Sequence, residues 1–410
     1  MKTFAYFILS FMSLQLAFAQ REAVLYAFSG MNDGGVPYAG LTFDSKGNLY
    51  GTTSQAGVDG IGNVFQLAPS ASGWQETVLH GFTGGADGGD PDASPVIFDK
   101  AGNLYGTTSN GGLYGYGTVF ELKRQNGTWL EEVLYNFQGS EKGDGQDPES
   151  GVTLDKKGHL YGTTNLGGPK NHVCPSGCGT IFELTHSSSG WKETIIHIFE
   201  GSPDGAGADD GLIFGKDGAL YGTTSSGGTS GNHGTVFRLA PSGTSWEESI
   251  LYRFTGSADG ADPTSSLTQD ASGNFYGTTS NGGMVGYGTV FRVSHSSGGW
   301  QESVLISFDF SSNGGFPSGR LIFDKAGNLY GTTSVGGTSA NGTVYELSPT
   351  GEKWTETVLL NFDGNDGSEP TGGVILDESG DLYGTSSDGG GLGSCSDTVY
   401  GCGTVFEVVP

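Results

Sequence analysis

The sequence predicts an all-β fold, a seven-bladed β-propeller, and the main observation behind this prediction is a repeated tetrapeptide. Tyr-Gly-Thr-Thr recurs at regular intervals of 55, 56, 60, 55, 54 and 53 residues. A fixed period of this length is typical of repeat architectures. Each unit also contains four short apolar segments and no helical pattern, which is typical of one propeller blade. The Tyr of each copy is Tyr50, Tyr105, Tyr161, Tyr221, Tyr276, Tyr330 and Tyr383, the last copy ending in Ser.

The sixth unit illustrates the four predicted strands, which we name A, B, C and D in chain order. Strand A covers 319–324, and a polar turn leads into strand B, 328–333, so that the two form a hairpin. A Gly- and Ser-rich loop leads to strand C, 342–347, and a further turn leads to strand D, 354–362. Strand D opens with Trp in six units, and a Trp at one repeat position predicts packing between units. These residues are Trp74, Trp129, Trp191, Trp246, Trp300 and Trp354.

The two ends of the chain predict how the ring closes. The chain ends after a strand C, 403–408, so the seventh unit lacks its own strand D. The segment 22–28, Glu-Ala-Val-Leu-Tyr-Ala-Phe, matches the strand D segment 356–362. We therefore expect the N-terminal strand to complete the seventh blade and to leave no open sheet edge between the two ends.

The first 19 residues predict a secretory signal peptide. Lys2 supplies a positive start, 4–16 is largely apolar, and Ala17-Phe18-Ala19 fits a cleavage site. The expected mature protein is a single propeller domain, 20–410, that is exported, monomeric and not inserted in a membrane. The formal net charge of −26 argues against nucleic acid and anionic membranes as partners, because both require clustered Lys and Arg.

Three motifs recur together and in order over about residues 22–408: L-Y-G-T-T, G-T-V-F-E-L and W-x-E-x-V-L. This pattern resembles the Gloeo/Verruco (GloVer) tandem-repeat family of exported bacterial proteins. The resemblance implies an exported repeat protein and supplies no catalytic residues. A looser likeness to kelch repeats rests on a Gly pair after strand B and the Trp that opens strand D.

The D–A loops, which connect one blade to the next, are acidic and rich in Gly. Flexible loops with many oxygen atoms suit Ca²⁺, which is the candidate cation here, and no other cofactor is predicted. Turn formation is the alternative explanation, because Asp and Gly favour tight turns. The candidate ligands are Asp87, Asp90, Asp92, Asp144, Asp147, Asp259 and Asp262.

The B–C loops differ most between units, which is where binding specificity is expected on a repeated scaffold. Exposed Tyr side chains in such loops can stack on sugar rings, and local packing of the loop tips is the alternative. The candidate ligand-binding residues are Tyr114, Tyr116, His172, His233, Met284 and Tyr287.

All four Cys residues lie in two B–C loops, Cys174 with Cys178 and Cys395 with Cys402. Blades three and seven are almost opposite on a ring of seven, so pairing between the loops is geometrically poor. In an exported protein this spacing predicts two local disulfides.

No catalytic motif repeats, and the sequence contains neither a G-x-S-x-G nor an H-E-x-x-H pattern. The expected function is a non-enzymatic binding module for carbohydrate or a cell-surface partner, acting through the face that carries the D–A and B–C loops. One alternative is a polysaccharide lyase or hydrolase that uses loop carboxylates. Another is a structural protein of the cell envelope.

Overall fold

A computed structural model describes residues 21–57, 59–91, 95–228, 231–351, 353–393, 395 and 401–410. It confirms a seven-bladed β-propeller of antiparallel blades in which strand A lies next to the central channel and strand D lies outermost. The predicted signal peptide and the predicted mature N-terminus, Gln20, lie outside the described residues. Within those residues, the only helical turn is a 3₁₀ turn at Ser140–Lys142.

The strands recur at matching positions in each unit. Strand A covers Thr42–Phe43, Ile97–Phe98, Thr153–Leu154, Ile213–Phe214, Thr268–Gln269, Gly315–Phe323 and Val374–Leu376. Strand B covers Leu49–Thr53, Leu104–Thr108, Leu160–Thr164, Leu220–Thr224, Phe275–Asn281, Leu329–Val335 and Leu382–Ser386. Strand C covers Asn63–Ser70, Thr118–Gln125, Thr180–Ser187, Thr235–Ser242, Thr289–Ser296, Thr343–Thr350 and Thr404–Val409. Strand D covers Gly73–Gly81, Thr128–Asn136, Gly190–Ile198, Ser245–Arg253, Gly299–Ser307 and Lys353–Asn361. Short additional strands lie at Gly145–Gln146, Leu166–Gly167 and Ala261–Pro263.

The ring closes as the sequence predicts. The N-terminal strand, Arg21–Ala27, pairs antiparallel with Thr404–Val409 and forms the outermost strand of blade seven. Phe28 follows this strand and is fully buried against Phe65 of blade one. Both ends of the chain are therefore held in one blade, and the described part of the ring has no open seam.

The predicted strand bounds in blade six differ from the observed ones mainly at strands A and C. Strand A begins four residues earlier than predicted, at Gly315 rather than Gly319. Strand C ends at Thr350 rather than Leu347, because its ladder with strand D continues to a tight turn beyond the last buried residue. These extensions contain Gly315, Pro317, Ser318 and Pro349, which interrupt hydrophobic alternation, so the alternation alone does not reveal them.

The Gly of the Tyr-Gly-Thr-Thr motif allows close packing between strands B and C. In blade three, a Cβ atom on Gly162 would lie 2.5 Å from Cζ of Phe182, well inside van der Waals contact. Phe182 itself is fully buried. The same pair recurs in the other blades, for example between Gly106 and Phe120 at 2.6 Å. The motif therefore keeps Gly because the strand C aromatic ring occupies the space of a side chain.

The two Thr residues of the motif make different hydrogen bonds. The second, Thr164 in blade three, bonds Thr180 of strand C through the two hydroxyl oxygens at 2.9 Å. The first, Thr163, donates to the carbonyl oxygen of Asp210 in the next blade at 3.2 Å. Thr385 of blade seven likewise donates to the carbonyl oxygen of Ala39 in blade one at 2.8 Å. The motif thus joins strands within a blade and also joins neighbouring blades.

Aromatic side chains fill the space between blades. The Phe that follows each strand D contacts the strand C aromatic residue of the next blade, with ring centroids 5.2 Å apart for Phe137 and Phe182. Trp246 of blade four packs on Tyr161 of blade three, and Trp354 of blade six packs on Tyr276 of blade five. These contacts agree with the prediction that the repeated Trp residues pack between units. No helix in the described part of the chain has the length and hydropathy of a membrane span.

Candidate functional site

The central channel opens on the face where the D–A and B–C loops meet. Backbone bridges join the two loop types directly, for example Gly89 with Asn110 and Ala206 with Ser226. The channel contains a cavity of about 720 Å³ whose wall includes residues of all seven blades. A volume of this size falls in the range of ligand pockets. The D–A loops run into this wall, so the residues that precede each strand A determine its chemistry.

The repeat breaks at the channel wall. Most D–A loops contain a Pro shortly before strand A, and the residue after this Pro, or after Ala208 in blade four, varies between blades. In chain order these residues are Tyr38, Asp92, Glu149, Asp209, Thr264, Ser318 and Thr371. Asp92 lies outside the described residues, and the other six line the cavity. The side chain at this position therefore varies in type between blades, from aromatic to acidic to hydroxyl.

Blades three and four form an acidic part of the wall, which we call the acidic arc: Glu149, Asp209 and Asp210. Asn165 donates to Oε2 of Glu149 at 2.9 Å, and Thr223 donates to Oδ2 of Asp210 at 3.2 Å. Oδ1 of Asp209 is buried and accepts no hydrogen bond from the described residues. The three carboxyl groups thus line one side of the wall.

Burial among the walls raises the pKa of Asp209 and raises the pKa of Asp210 well above its ordinary range. The charges of Asp209 and Glu149 raise the pKa of Asp210 further, because adjacent like charges disfavour a second ionisation. Asp209 and Asp210 therefore retain their protons to a higher pH than isolated carboxyl groups would.

Arg320 faces the channel from blade six, which lies across the ring from blade three. It occupies the position of Gly40, Gly151 and Gly211 in other blades. Nε of Arg320 donates to Oγ1 of Thr268 at 3.2 Å. The side chain is accessible to solvent, yet the surrounding walls desolvate it enough to lower the pKa of its guanidinium. Arg320 lines the cavity and forms no ion pair with a carboxylate among the described residues, so guanidinium donors remain for a ligand.

This arrangement presents hydrogen-bond acceptors to a ligand on one side of the channel and hydrogen-bond donors on the other. Ser and Thr side chains occupy much of the wall between them, including Thr264, Ser266, Ser318 and Thr371. Tyr38 adds an aromatic ring that is 38% exposed. A small ligand with several hydroxyl groups fits these properties, because each hydroxyl both donates and accepts.

The sequence analysis did not identify Glu149, Asp209, Asp210 or Arg320 as site residues. The signal was present, because these residues interrupt an otherwise regular alignment of the seven units. The variable positions are single residues at the junction between the D–A loop and strand A, so they stand out less than the variable B–C loops.

Three predicted ligand-binding residues pack locally instead of facing solvent. Tyr116, His233 and Tyr287 each directly precede the Gly that opens strand C. The ring of Tyr116 lies against Gly139, and that of His233 lies against Gly256, each in the following D–A loop. Tyr287 packs on Phe310, with ring centroids 5.2 Å apart. These contacts match the alternative explanation, packing of loops.

The other three lie exposed at the tips of the B–C loops. Tyr114 is 54% exposed and Met284 is 83% exposed, and His172 is also exposed. Further apolar side chains accompany them on the same face: Met31, Leu113, Val173, Val285 and Leu392. The structure does not bring these six predicted residues into one site, and whether any of them binds a ligand stays a prediction.

The predicted aspartates organise the D–A loops that contain them. Asp87 and Asp259 accept hydrogen bonds from the backbone N–H of Thr83 and Thr255, at 3.0 and 2.8 Å. Asp144 accepts in the same way from Gln138, at 2.8 Å. These contacts are those that turn formation requires.

The remaining predicted aspartates lie at the junctions with the B–C loops. Asp90 and Asp262 each accept from an Asn side chain of the following B–C loop, at 2.7 and 2.8 Å. Burial raises the pKa of Asp147, and Asp92 lies outside the described residues. Among the described residues, none of these aspartates belongs to a group of three with metal-ligand spacing. A calcium site in these loops stays a prediction.

The structure contains the two local disulfides that the spacing predicts. Cys174 is bonded to Cys178 and Cys395 to Cys402, with Cα–Cα distances of 5.2 and 5.4 Å. Cys178 and Cys402 precede strand C and are buried against the following D–A loop, as Tyr116 is in blade two. The disulfides thus fix B–C loops in blades three and seven.

Solved structures with similar folds are distant in sequence. The extracellular domain of a protein described as a one-component system from B. thetaiotaomicron aligns with 94% of this chain and 39% of that chain. It gives a TM-score of 0.56 at 12% identity. A protein described as a 6-phosphogluconolactonase from Bacteroides uniformis aligns with 91% of this chain and 100% of that chain. Its TM-score is 0.51 at 14% identity. These likenesses support the propeller fold alone.

A comparison with curated protein sequences gave no match. The model of the Gloeobacter/Verrucomicrobia repeat matches residues 12–173 and 172–406, nearly the whole chain. The matched segments contain the repeated Tyr-Gly-Thr-Thr motifs and all seven blades described above. The chain therefore belongs to the Gloeobacter/Verrucomicrobia repeat family.

Proposed function

We propose that this protein is an exported, non-enzymatic binding protein that holds a carbohydrate unit in the mouth of its central channel. The observation that carries the proposal is the break of the repeat at the channel wall, where the acidic arc lies across the channel from Arg320. A scaffold of near-identical units gains a specific site only where the units differ.

The chemistry of the wall favours a sugar over a simple ion or a purely apolar ligand. Sugar hydroxyl groups can donate to Glu149 and accept from Arg320, and Ser and Thr side chains can do either. The raised pKa of Asp209 and Asp210 favours neutral carboxyl groups, which donate as well as accept. Tyr38 supplies an aromatic surface of the kind on which sugar rings stack.

The exposed apolar tips of the B–C loops support a larger partner on the same face. Leu113, Met284 and Val285 are each more than half exposed and lie on B–C loops of this face. A polysaccharide or a glycosylated surface protein could contact these tips while one sugar unit enters the channel. Export is supported by the predicted signal peptide and by the disulfides, which persist in oxidising compartments.

A lyase or hydrolase acting on polysaccharide is the second candidate. The observation in its favour is the raised pKa of Asp209 and Asp210, since a carboxyl group that keeps its proton can act as a general acid. The two proposals differ in one outcome, which is whether the bound sugar is cleaved.

The test is a glycan array, followed by calorimetric titration of the oligosaccharides that bind. The variants Arg320→Gln and Asp209→Asn should each weaken binding at least about tenfold, because the first removes a charged donor and the second replaces an acidic carboxyl group of the wall. Asp59→Asn is the matched control, since Asp59 is an exposed carboxylate of a B–C loop on the same face.

Chromatography of the incubated sugar then separates the two candidates. Intact sugar supports the binding protein, and cleaved sugar supports the enzyme. Equal affinity of the wild type and both channel variants would refute a channel site, and absence of binding to every glycan would refute the carbohydrate proposal.

A further inference from the structure

The seams between neighbouring blades contain a second group of polar residues, separate from the channel. Each seam brings together three side chains. The first lies near the end of strand D, two positions before the buried Phe that follows this strand. The second belongs to the D–A loop, and the third is a Glu from strand D of the next blade. The sets are Tyr26, Asp33 and Glu76; His80, Asp87 and Glu131; Tyr135, Asp144 and Glu193; His197, Asp204 and Glu248; Tyr252, Asp259 and Glu302; Ile306, Asn313 and Glu356; Leu360, Asp366 and Glu22.

Three seams satisfy their loop carboxylate with a Tyr hydroxyl. Tyr26 donates to Asp33 at 3.0 Å, and Tyr135 donates to Asp144 at 2.8 Å. In the third of these seams, Tyr252 donates to Asp259 at 2.9 Å. In these seams a protein donor therefore satisfies the loop carboxylate.

The seam between blades three and four replaces this hydroxyl with an imidazole. Nε2 of His197 lies 3.7 Å from Oδ2 of Asp204 and 3.7 Å from Oε1 of Glu248. Both distances exceed those of hydrogen bonds. Nε2 of His197 and Oε1 of Glu248 are buried and have no hydrogen-bond partner among the described residues. An imidazole nitrogen and two carboxylates therefore point at a common position without bonding one another.

The spacing suits ligands of one metal ion. Two atoms that each lie about 2.0–2.2 Å from a tetrahedral zinc ion are roughly 3.3–3.6 Å apart. The three ligand atoms of this seam all lie within 4.8 Å of one another, and no other group in the described part of the chain meets this condition. A neutral imidazole with two carboxylates is a ligand set for Zn²⁺, whereas Ca²⁺ prefers oxygen ligands alone.

The ligands are also held in place by their surroundings. The backbone N–H groups of Glu200 and Gly205 donate to Asp204 at 3.1 and 2.9 Å. The ring of His197 packs edge-on against the buried ring of Phe199, with centroids 4.7 Å apart. Such contacts orient ligands before a metal arrives. Arg253, on the same strand as Glu248, is engaged with the carbonyl oxygen of Pro203 at 3.2 Å.

We propose that His197, Asp204 and Glu248 form a binding site for Zn²⁺ at the seam between blades three and four. The ion joins the end of one blade to the D–A loop and to the outer strand of the next. Three protein ligands leave a fourth position for water. The site does not depend on the channel proposal, since none of its ligands lines the channel.

The test measures zinc in the full-length mature protein after treatment with EDTA, dialysis and addition of ZnCl₂. We expect one bound zinc per chain by mass spectrometry of the metal and a melting temperature that rises with Zn²⁺ and falls again with EDTA. His197→Tyr recreates the arrangement of three other seams and should lower zinc affinity by more than about 100-fold. Glu248→Gln keeps the shape of the side chain and should also lower the zinc affinity.

His80→Tyr is the matched control, because His80 occupies the same repeat position at the seam between blades one and two. It should leave the zinc content at one per chain. CaCl₂ at equal concentration should act equally on the wild type and on His197→Tyr. Zinc binding that survives both His197→Tyr and Glu248→Gln, or a wild type that binds no zinc, would overturn the proposal.

Discussion

The blade interior and the channel wall are built from the same repeat, yet they differ in how strictly the repeat is kept. In the interior, the Gly of the motif and the strand C aromatic ring occupy matching positions in every blade. At the channel wall, the residue at the matching position is acidic in two of the six blades where the structure describes it, aromatic in one and a hydroxyl residue in three. The interior positions are fixed by packing, and the wall positions are free to acquire ligand chemistry.

The contrast separates two kinds of mutation. Changes in the interior should lower the free energy of unfolding and affect binding only through stability. Changes at the channel wall should lower the affinity for a ligand and leave the free energy of unfolding nearly unchanged, because the wall side chains contribute little packing. The four predictions below test this separation, beginning with the largest expected effect.

Truncating an interior aromatic residue should have the largest effect. Phe182 is fully buried between Gly162 and Phe137. Phe182→Ala should lower the free energy of unfolding by about 3–5 kcal/mol, because it removes buried apolar surface and leaves a cavity. Urea denaturation measures the change. Leu113→Ala is the control, since Leu113 is 68% exposed, and a similar loss there would contradict the distinction.

Removing a hydrogen bond between blades should have a smaller effect. Thr163→Val keeps the side-chain shape and removes the bond to the carbonyl oxygen of Asp210 and the 2.5 Å contact with Oγ of Ser150. We expect a loss of about 1–2 kcal/mol, because buried polar groups are left unpaired. Thr350→Val, on the exposed end of a strand C, should change stability by less than about 0.5 kcal/mol. Equal effects at both positions would contradict a role for Thr163 in joining blades.

The seam glutamates should make stability depend on pH. Burial is the main cause that raises the pKa of Glu131 to about 7, and the negative charge of Asp87 is the second cause. Burial is also the main cause that raises the pKa of Glu193 to about 7. A raised pKa in the folded state means that stability is greatest below the unfolded value, 4.5, and is lost as pH rises to about 7. The same shift applies to Glu22, Glu76, Glu248, Glu302 and Glu356.

In EDTA, the melting temperature should therefore fall between pH 5 and pH 8. Glu131→Gln and Glu193→Gln should each reduce this fall. The corresponding change in the free energy of unfolding is less than about 1 kcal/mol, because the side chains remain partly solvated. Calorimetry of the single variants measures the change. A melting temperature that rises steadily from pH 5 to pH 8 would contradict the sign of these shifts.

Changes at the channel wall should have the smallest effect on stability. At pH 5, Asp210→Asn should leave the free energy of unfolding within about 0.5 kcal/mol of the wild-type value. At pH 8, the same variant should raise the free energy of unfolding. The reason is that burial raises the pKa of Asp210 well above its ordinary range, so its ionised form is disfavoured in the folded protein. Arg320→Gln should behave similarly. Destabilisation by more than 2 kcal/mol would show that the wall is part of the packing scaffold.

Much of the fold could be predicted because local patterns encode it. The Tyr-Gly-Thr-Thr period gave the number of blades, and the alternation within each unit gave strand order. The closure was predictable because Arg21–Ala27 carries the sequence of a strand D. The disulfide pairing was predictable because each pair is separated by only 4 or 7 residues.

The candidate sites were less predictable because their residues are distant in sequence. The acidic arc lies more than 100 residues before Arg320, and Asp204 meets Glu248 only across a seam. The sequence analysis selected Asp87, Asp144 and Asp259 as metal ligands without their seam partners, Glu131, Glu193 and Glu302. It also selected Tyr116 and Tyr287 as exposed residues, whereas both pack on the next D–A loop.

The sequence by itself determined a closed ring of seven four-stranded blades, since strand patterns, turns and the Trp positions depend on neighbours within one unit or the next. Only the tertiary structure decided which variable side chains share the channel and which seam replaces a Tyr hydroxyl with a His at metal-ligand distance. The physical reason is that packing is repeated and local, whereas a site depends on distances between blades that exist only once the ring has closed.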